Sequence, residues 1–377
     1  MPHTPEWLLL PGFRIIAALA ISFFVAYRFI PVIIDVARKK NLVDEPNHRT
    51  SHKGKVPTLG GIAIFAGFAI AVLAFNLSSD SLLSPVTVAG AMVIFFLGLK
   101  DDVLELSPLK KIYGQVIAGL IVILLGDLRF SSLHGLFGIY QISYIWSVLV
   151  TLFVFIVIIN SFNLVDGIDG LAAGLAIVSS VFFGEWFFRA GQTGMVVMAV
   201  SLIGVLFAFL RYNLLDSRYK IFMGDTGSML LGFILAVFTV RFNEMNVPGS
   251  PIRNMEAAPA FSFAILMVPL FDTLRLFVVR IYTKCTPFAP DRAHMHHILL
   301  KLGFNHLQST YILMMFNIVF VLLAWRFQSL GTMKLFGLLI FSGTILTIIA
   351  FVLVSIQKRH RHLDNKQIVN QGKSRIA

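Results

Sequence analysis

The sequence predicts an all-α, polytopic integral membrane protein of about eleven transmembrane helices, its N-terminus outside and its C-terminus cytoplasmic. Three observations carry this. Hydrophobic residues make up 57% of the 377 and charged residues only 13%, about half the usual globular share. Apolar runs of about 20 residues recur along the whole length, the length a helix needs to cross ~30 Å of hydrocarbon. They are continuous, whereas a transmembrane β-barrel would show alternating segments of about ten residues. The Lys and Arg residues gather in alternate loops.

The spans fall at about 8–35, 58–77, 83–100, 112–127, 144–162, 171–189, 194–210, 224–241, 258–280, 309–327 and 333–356. The first carries Arg14 and Arg28 and runs too long for a cleaved signal segment. Loops after spans one, three, seven and nine, with the C-terminal tail, hold most of the basic residues. The other side keeps only Arg129, Arg189, Arg241, Arg253, Arg326 and Lys334. The rich side is therefore cytoplasmic. This distribution also accounts for the net charge of +12 without nucleic acid as a partner. Cys285 is the only cysteine, so no internal disulfide forms. Residues 1–357 read as a single transmembrane catalytic domain, and 358–377 as a basic tail held against anionic membrane lipid.

Five polar motifs punctuate the chain, all on the cytoplasmic side. Asp101 and Asp102 close the third span, where carboxylates oppose the helix macrodipole and so serve something other than helix stability. About 100° apart on a helix, both reach one site only where that helix frays. Asn160, Asn163, Asp166 and Asp169 step by three, which on a continuous helix would scatter them around the axis. Gly167 and Gly170 instead predict a bend between spans five and six, turning oxygen ligands of the kind Mg²⁺ prefers into one place. A turn with Asx caps is the plain alternative, but four acceptors in ten residues exceed what it needs. Asp225 stands where a carboxylate caps a helix N-terminus, and Gly224 and Gly227 let a ligand approach the backbone, which favours metal or phosphate binding.

His294, His296 and His297 follow Asp291 and Arg292. Three histidines can bind Zn²⁺; without cysteines, and beside an arginine suited to bidentate phosphate contacts, anion binding is the better reading. Asp272 and Arg275, one turn apart inside a span, read as a structural pair that neutralises itself. The fifth motif is the basic stretch from Asp44 to Lys55, which lies where it could cover a site. Oxygen ligands for Mg²⁺, with Arg, His and Lys for phosphates, form the inventory for phosphoryl transfer between a soluble and a lipid substrate. An ion-coupled transporter would instead place its acids near mid-membrane and show an internal repeat. Here the motif acids lie at span ends, and the halves of the sequence show no repeat.

Taken together, four of these motifs resemble those of the polyprenyl-phosphate N-acetylhexosamine-1-phosphate transferases. They are Asp101-Asp102 followed by Pro108, Lys111 and Gln115; the Asn160 to Gly170 run; Gly224-Asp225-Thr226-Gly227-Ser228; and Pro290 to His297. Any one alone is weak, whereas the ordered set is specific. The spacing of the histidines is similar to the WecA/TagO branch and lacks the three consecutive histidines of the MraY branch.

The resemblance implies transfer of a sugar 1-phosphate, most simply that of GlcNAc, from a UDP-sugar to undecaprenyl phosphate at the cytoplasmic face of the inner membrane, with release of UMP. GalNAc, a deoxy-amino sugar or MurNAc-pentapeptide is the alternative donor, and the glycan pathway and a homodimer stay open. It also implies roles for residues. Asp225 would be the main Mg²⁺ ligand with Asn163 beside it, Mn²⁺ being a possible substitute. Asp101 and Asp102 would activate and position the lipid phosphate, and Lys111 would meet it. Asp166 and Asp169 would line the nucleotide pocket, with Asp169 nearest the uracil and Asn160 among the substrate contacts. Arg292, His294, His296 and His297 would hold the diphosphate and sugar, with His297 among the catalytic groups.

Overall fold

In the computed structural model, residues 10–44, 56–76, 82–214, 219–247, 249–250, 255–283 and 294–374 are described, without the side chains of Asp44 and 358–374. The chain is a helical membrane bundle. Helix α1 (Pro11–Lys39) opens on a proline that needs no donor there and ends on Arg38 and Lys39, which suit the negative end of its dipole. It buries Arg14, Ala18, Ser22, Ala26, Ile30 and Ile34, a seam of mainly small residues four apart. That seam lets it pack closely on α7 (Thr193–Asn213), as small residues do between membrane helices. Its other faces show Ile16, Phe24 and Val32 to lipid.

A two-residue ladder, β1 (Val43–Asp44) against β2 (Val56–Pro57), precedes α2 (Gly60–Phe75). At 16 residues α2 spans about 24 Å, shorter than the expected 58–77 and than the hydrocarbon thickness. Helices α3 (Leu83–Leu104) and α4 (Pro108–Leu125) follow, then a small hairpin, β3 (Ser132–Leu136) with β4 (Ile139–Gln141). Helices α5 (Tyr144–Val165), α6 (Leu171–Arg189) and α7 lead to α8 (Gly224–Met245). Every residue of α8 from Thr226 to Val240 is buried. A helix apolar all round belongs at the centre of its bundle, and α2, α3, α5 and α6 surround this one.

The sequence suggested one continuous span at 258–280. The structure breaks it at Leu266 into α9 (Ala258–Ile265) and α10 (Met267–Tyr282), bent by 92°. Pro269 has no N–H for the Ile265 carbonyl four residues back. That carbonyl is taken instead by Asn317 Nδ2 at 2.8 Å and Ser179 Oγ at 3.1 Å, while Asn317 Oδ1 accepts from Val268 N at 3.1 Å. Side chains of neighbouring helices thus satisfy the freed backbone inside the bundle, which is what makes a break tolerable there. The short α11 (Met295–Lys301), α12 (His306–Arg326) and α13 (Thr332–Ser374) complete the chain, the tail continuing the last helix. Among the described residues nine helices are long and apolar enough to cross a membrane, ten with the bent pair counted as one span. This is a multi-pass membrane protein.

Candidate active site

A cavity of about 1020 Å³ opens where the C-terminal end of α3, the α5–α6 turn, the N-terminus of α8, and α11 converge. Asp101, Asp102, Asn163, Asp166, Asp169, Asp225 and His297 all line it, with His306 and Lys301. Residues scattered over two hundred positions of sequence are thereby brought to one end of the bundle.

Asp101 and Asp102 do not need a frayed helix, because α3 runs on to Leu104. Their 100° separation sends them to different neighbours. Asp101 is buried, accepts Leu106 N–H at 2.6 Å and pairs with Lys111 of α4. Lys111 Nζ also lies 2.9 Å from Asp225 Oδ2, so one ammonium joins two carboxylates. Asp102 turns to α8, where it accepts Asp225 N–H at 2.7 Å, Thr226 N–H at 3.1 Å and Thr226 Oγ1–H at 2.5 Å. The α8 N-terminus is therefore capped by a carboxylate from another helix, which leaves Asp225 itself free to face the cavity. Gly224 makes this approach possible: its φ is +71°, and a Cβ there would sit 2.0 Å from Thr58 O and 2.7 Å from the Asp102 carboxylate.

The expected bend between spans five and six is present. Helix α5 ends at Val165, Asp166 is its C-cap, and α6 begins at Leu171. Asn163 Nδ2 donates to Asp225 Oδ1 at 2.6 Å and to Ser228 Oγ at 3.0 Å. Asn160 is turned away from the cavity, exchanging hydrogen bonds with Gln115 at 2.8 and 3.4 Å between α5 and α4. Burial, and then the charges of Asp225, Asp102 and Asp169, push the Asp166 carboxyl up to about 7. Asp169 behaves oppositely. Burial would raise it, but His306 at 3.4 Å and Lys220 at 2.7 Å hold it below the usual carboxylate value.

The histidines divide. His297 faces the cavity. His296 is 2% exposed and packs behind the α5–α6 turn, its Nε2 so near Gly167 that a Cβ there would lie at 2.4 Å. Burial, with His297 beside it, pushes its imidazole down to about 3, so it is neutral at physiological pH. His294 is buried against Asp272 and lies outside the cavity lining. Arg292 and the stretch from 45 to 55 lie outside the described residues. Sequence reading overlooked Lys220 and His306, which no motif marks, and Thr226 as a partner of Asp102.

Among the described residues no three His, Cys, Asp or Glu side chains gather to cage a metal ion. The donors fit Mg²⁺ nonetheless: it takes hard oxygens, usually one or two carboxylates with the rest from water and phosphate. Asp225 offers a carboxylate of that kind, while Asn163, which here turns its Nδ2 to Asp225, would bring its amide oxygen to an ion only with the amide turned over.

A family model described as glycosyl transferase family 4 matches residues 84–243. A Yersinia pestis undecaprenyl-phosphate alpha-N-acetylglucosaminyl 1-phosphate transferase is 33% identical over 290 residues, 76% of this chain and 77% of its own length. An Escherichia coli K12 protein of the same name is 34% identical over 279 residues, 73% of each chain. A probable undecaprenyl-phosphate N-acetylglucosaminyl 1-phosphate transferase of Bacillus subtilis is 30% identical over 348 residues, 90% of this chain and 93% of its own. With relatives at 30% identity or more over two thirds or more of its length, and this family model matching within it, the chain belongs to glycosyl transferase family 4.

Proposed function

We propose that this enzyme transfers GlcNAc 1-phosphate from UDP-GlcNAc to undecaprenyl phosphate at the cytoplasmic face of the inner membrane, releasing UMP. The observation that carries the reading is the carboxylate-rich cavity at the ends of the spans, with Lys111 set between Asp101 and Asp225. The names of the relatives support the substrates. A lipid whose phosphate rides at the membrane surface meets a soluble nucleotide there.

In the reaction an oxygen of the lipid phosphate attacks the sugar-bearing phosphorus of the UDP-sugar, and the bond to the bridging oxygen breaks towards UMP. Both partners are anionic, so repulsion is the first obstacle and charge neutralisation the main catalytic need. Lys111, held between Asp101 and Asp225, would supply the cation for the lipid phosphate. Asp225 and Asn163 would hold Mg²⁺, or Mn²⁺ in its place, which would offset diphosphate charge when bound. Asp102 fixes the backbone that presents Asp225. Asp101 orients Lys111; at neutral pH the lipid phosphate is already ionised and asks little of a base. Asp166, Asp169 and His297 all line the cavity; in this reading the two carboxylates would meet the nucleotide and His297 the diphosphate.

The test is UMP release by purified protein with undecaprenyl phosphate, UDP-GlcNAc and Mg²⁺, beside Asp225→Ala. Lipid-dependent release, lost with EDTA and with the substitution, is expected. Turnover only with another UDP-sugar would move the specificity, and none with any UDP-sugar from folded protein would overturn the reading.

A further inference from the structure

We propose that Asp272 and His294 form one positioning unit that clamps α11 to the displaced half of the broken span, and that His294 acts through this clamp rather than by touching substrate. Asp272 is 2% exposed and stands on α10 just past the Leu266 break. Its Oδ1 accepts from Arg275 Nη2 at 2.8 Å and from Met295 N–H, the first residue of α11, at 3.1 Å. Its Oδ2 lies 2.8 Å from His294 Nδ1. Beside a carboxylate already balanced by Arg275, that ring nitrogen must be the donor. One buried carboxylate therefore ties the start of α11 to α10 by backbone and side chain at once.

The clamp has a route to the cavity. The His294 ring stacks on His296 with centroids 5.6 Å apart and planes 11° apart, and His296 lies 4.3 Å from the His297 ring. His296 also packs against Gly167, next to Asp166. If the clamp slackens, His297 and the α5–α6 turn lose their common support. Misplacement of about 1 Å at such a wall costs on the order of 100-fold in rate without removing a substrate contact.

The two isosteric replacements of His294 separate the roles. An Asn side chain places its N–H₂ near the position of Nδ1, whereas Gln reaches towards Nε2. The inference rests on the proposed transferase activity, so UMP release is measured first on the wild type. For His294→Gln we expect kcat to fall ~30-fold or more while KM for UDP-GlcNAc stays within ~3-fold, and for His294→Asn we expect kcat restored to within ~5-fold of wild type. Adding Asp272→Asn to His294→Gln should cost little more, because residues acting as a unit are not additive. A Gln variant as active as Asn or more so, or a loss falling mainly on KM, would overturn the clamp and make His294 a substrate ligand. A wild type that releases no UMP would instead overturn the transferase reading, a distinct result.

Discussion

At the scale of single residues, Asp102 and Asp225 illustrate two uses of one carboxylate type. Asp102 spends both oxygens on three donors at the α8 N-terminus. Asp102→Ala strands those donors and should cost about 3 kcal/mol or more, since hydrogen bonds to a charged group contribute about 1.5–3 kcal/mol each. Thermal unfolding in detergent checks this; an unchanged midpoint with lost activity would point to direct contact with substrate. His296 gives a pH prediction. Its folded value near 3 lies below the unfolded ~6.5, so folding favours the neutral ring. Stability is complete above about pH 6.5 and declines as pH falls, because only the unfolded chain binds the proton, by about 1.4 kcal/mol per unit until pH nears 3. Comparing unfolding at pH 7.5 and 5.5 for wild type and His296→Asn isolates the effect. The variant should show the shallower decline.

Among the elements, the broken span is the most informative. Its α10 half carries Asp272 and reaches the α11 histidines only because the axis turns by 92°. Asn317 makes that turn affordable by serving both Val268 N–H and the Ile265 carbonyl. Asn317→Ala should destabilise the protein by about 2–4 kcal/mol, as two buried backbone groups lose a partner. Hydrogen exchange across 264–269 should quicken in the same variant. Exchange as slow as wild type would mean that Ser179 and water suffice. The α5–α6 turn works more locally: Asp166 caps one helix, and the Gly170 N–H donates to Asn213 Oδ1 at 2.7 Å.

For the whole molecule, the testable property is sidedness. With Cys285 replaced by Ser, Phe137→Cys on the hairpin should react with a membrane-impermeant maleimide in intact spheroplasts. Lys110→Cys, at the cavity end, should react only after permeabilisation; the reverse pattern would invert the topology read from Lys and Arg. Composition and apolar run length announced the membrane bundle, because every span must supply its own hydrocarbon-matched surface. The motif residues were legible too: acids are costly at a membrane, so Asp101, Asp166 and Asp225 stand out in a chain this apolar. What each acid does was not legible, because a motif names residue types and not their partners. Nothing local to Asp102 says that it caps a helix more than a hundred residues away, and nothing near Asn160 says that it turns to Gln115. Nor does Pro269 alone announce a 92° break, since a proline in a membrane helix bends sharply only where neighbours accept the freed groups. The sequence by itself determined the class of the protein and the approximate course of most of its helices, with the residue types of its motifs, since these follow from hydrophobicity and residue chemistry along the chain. Only the tertiary structure decided which acids face the cavity, which hold it in shape and how His294 is employed, because those depend on contacts between helices distant in sequence.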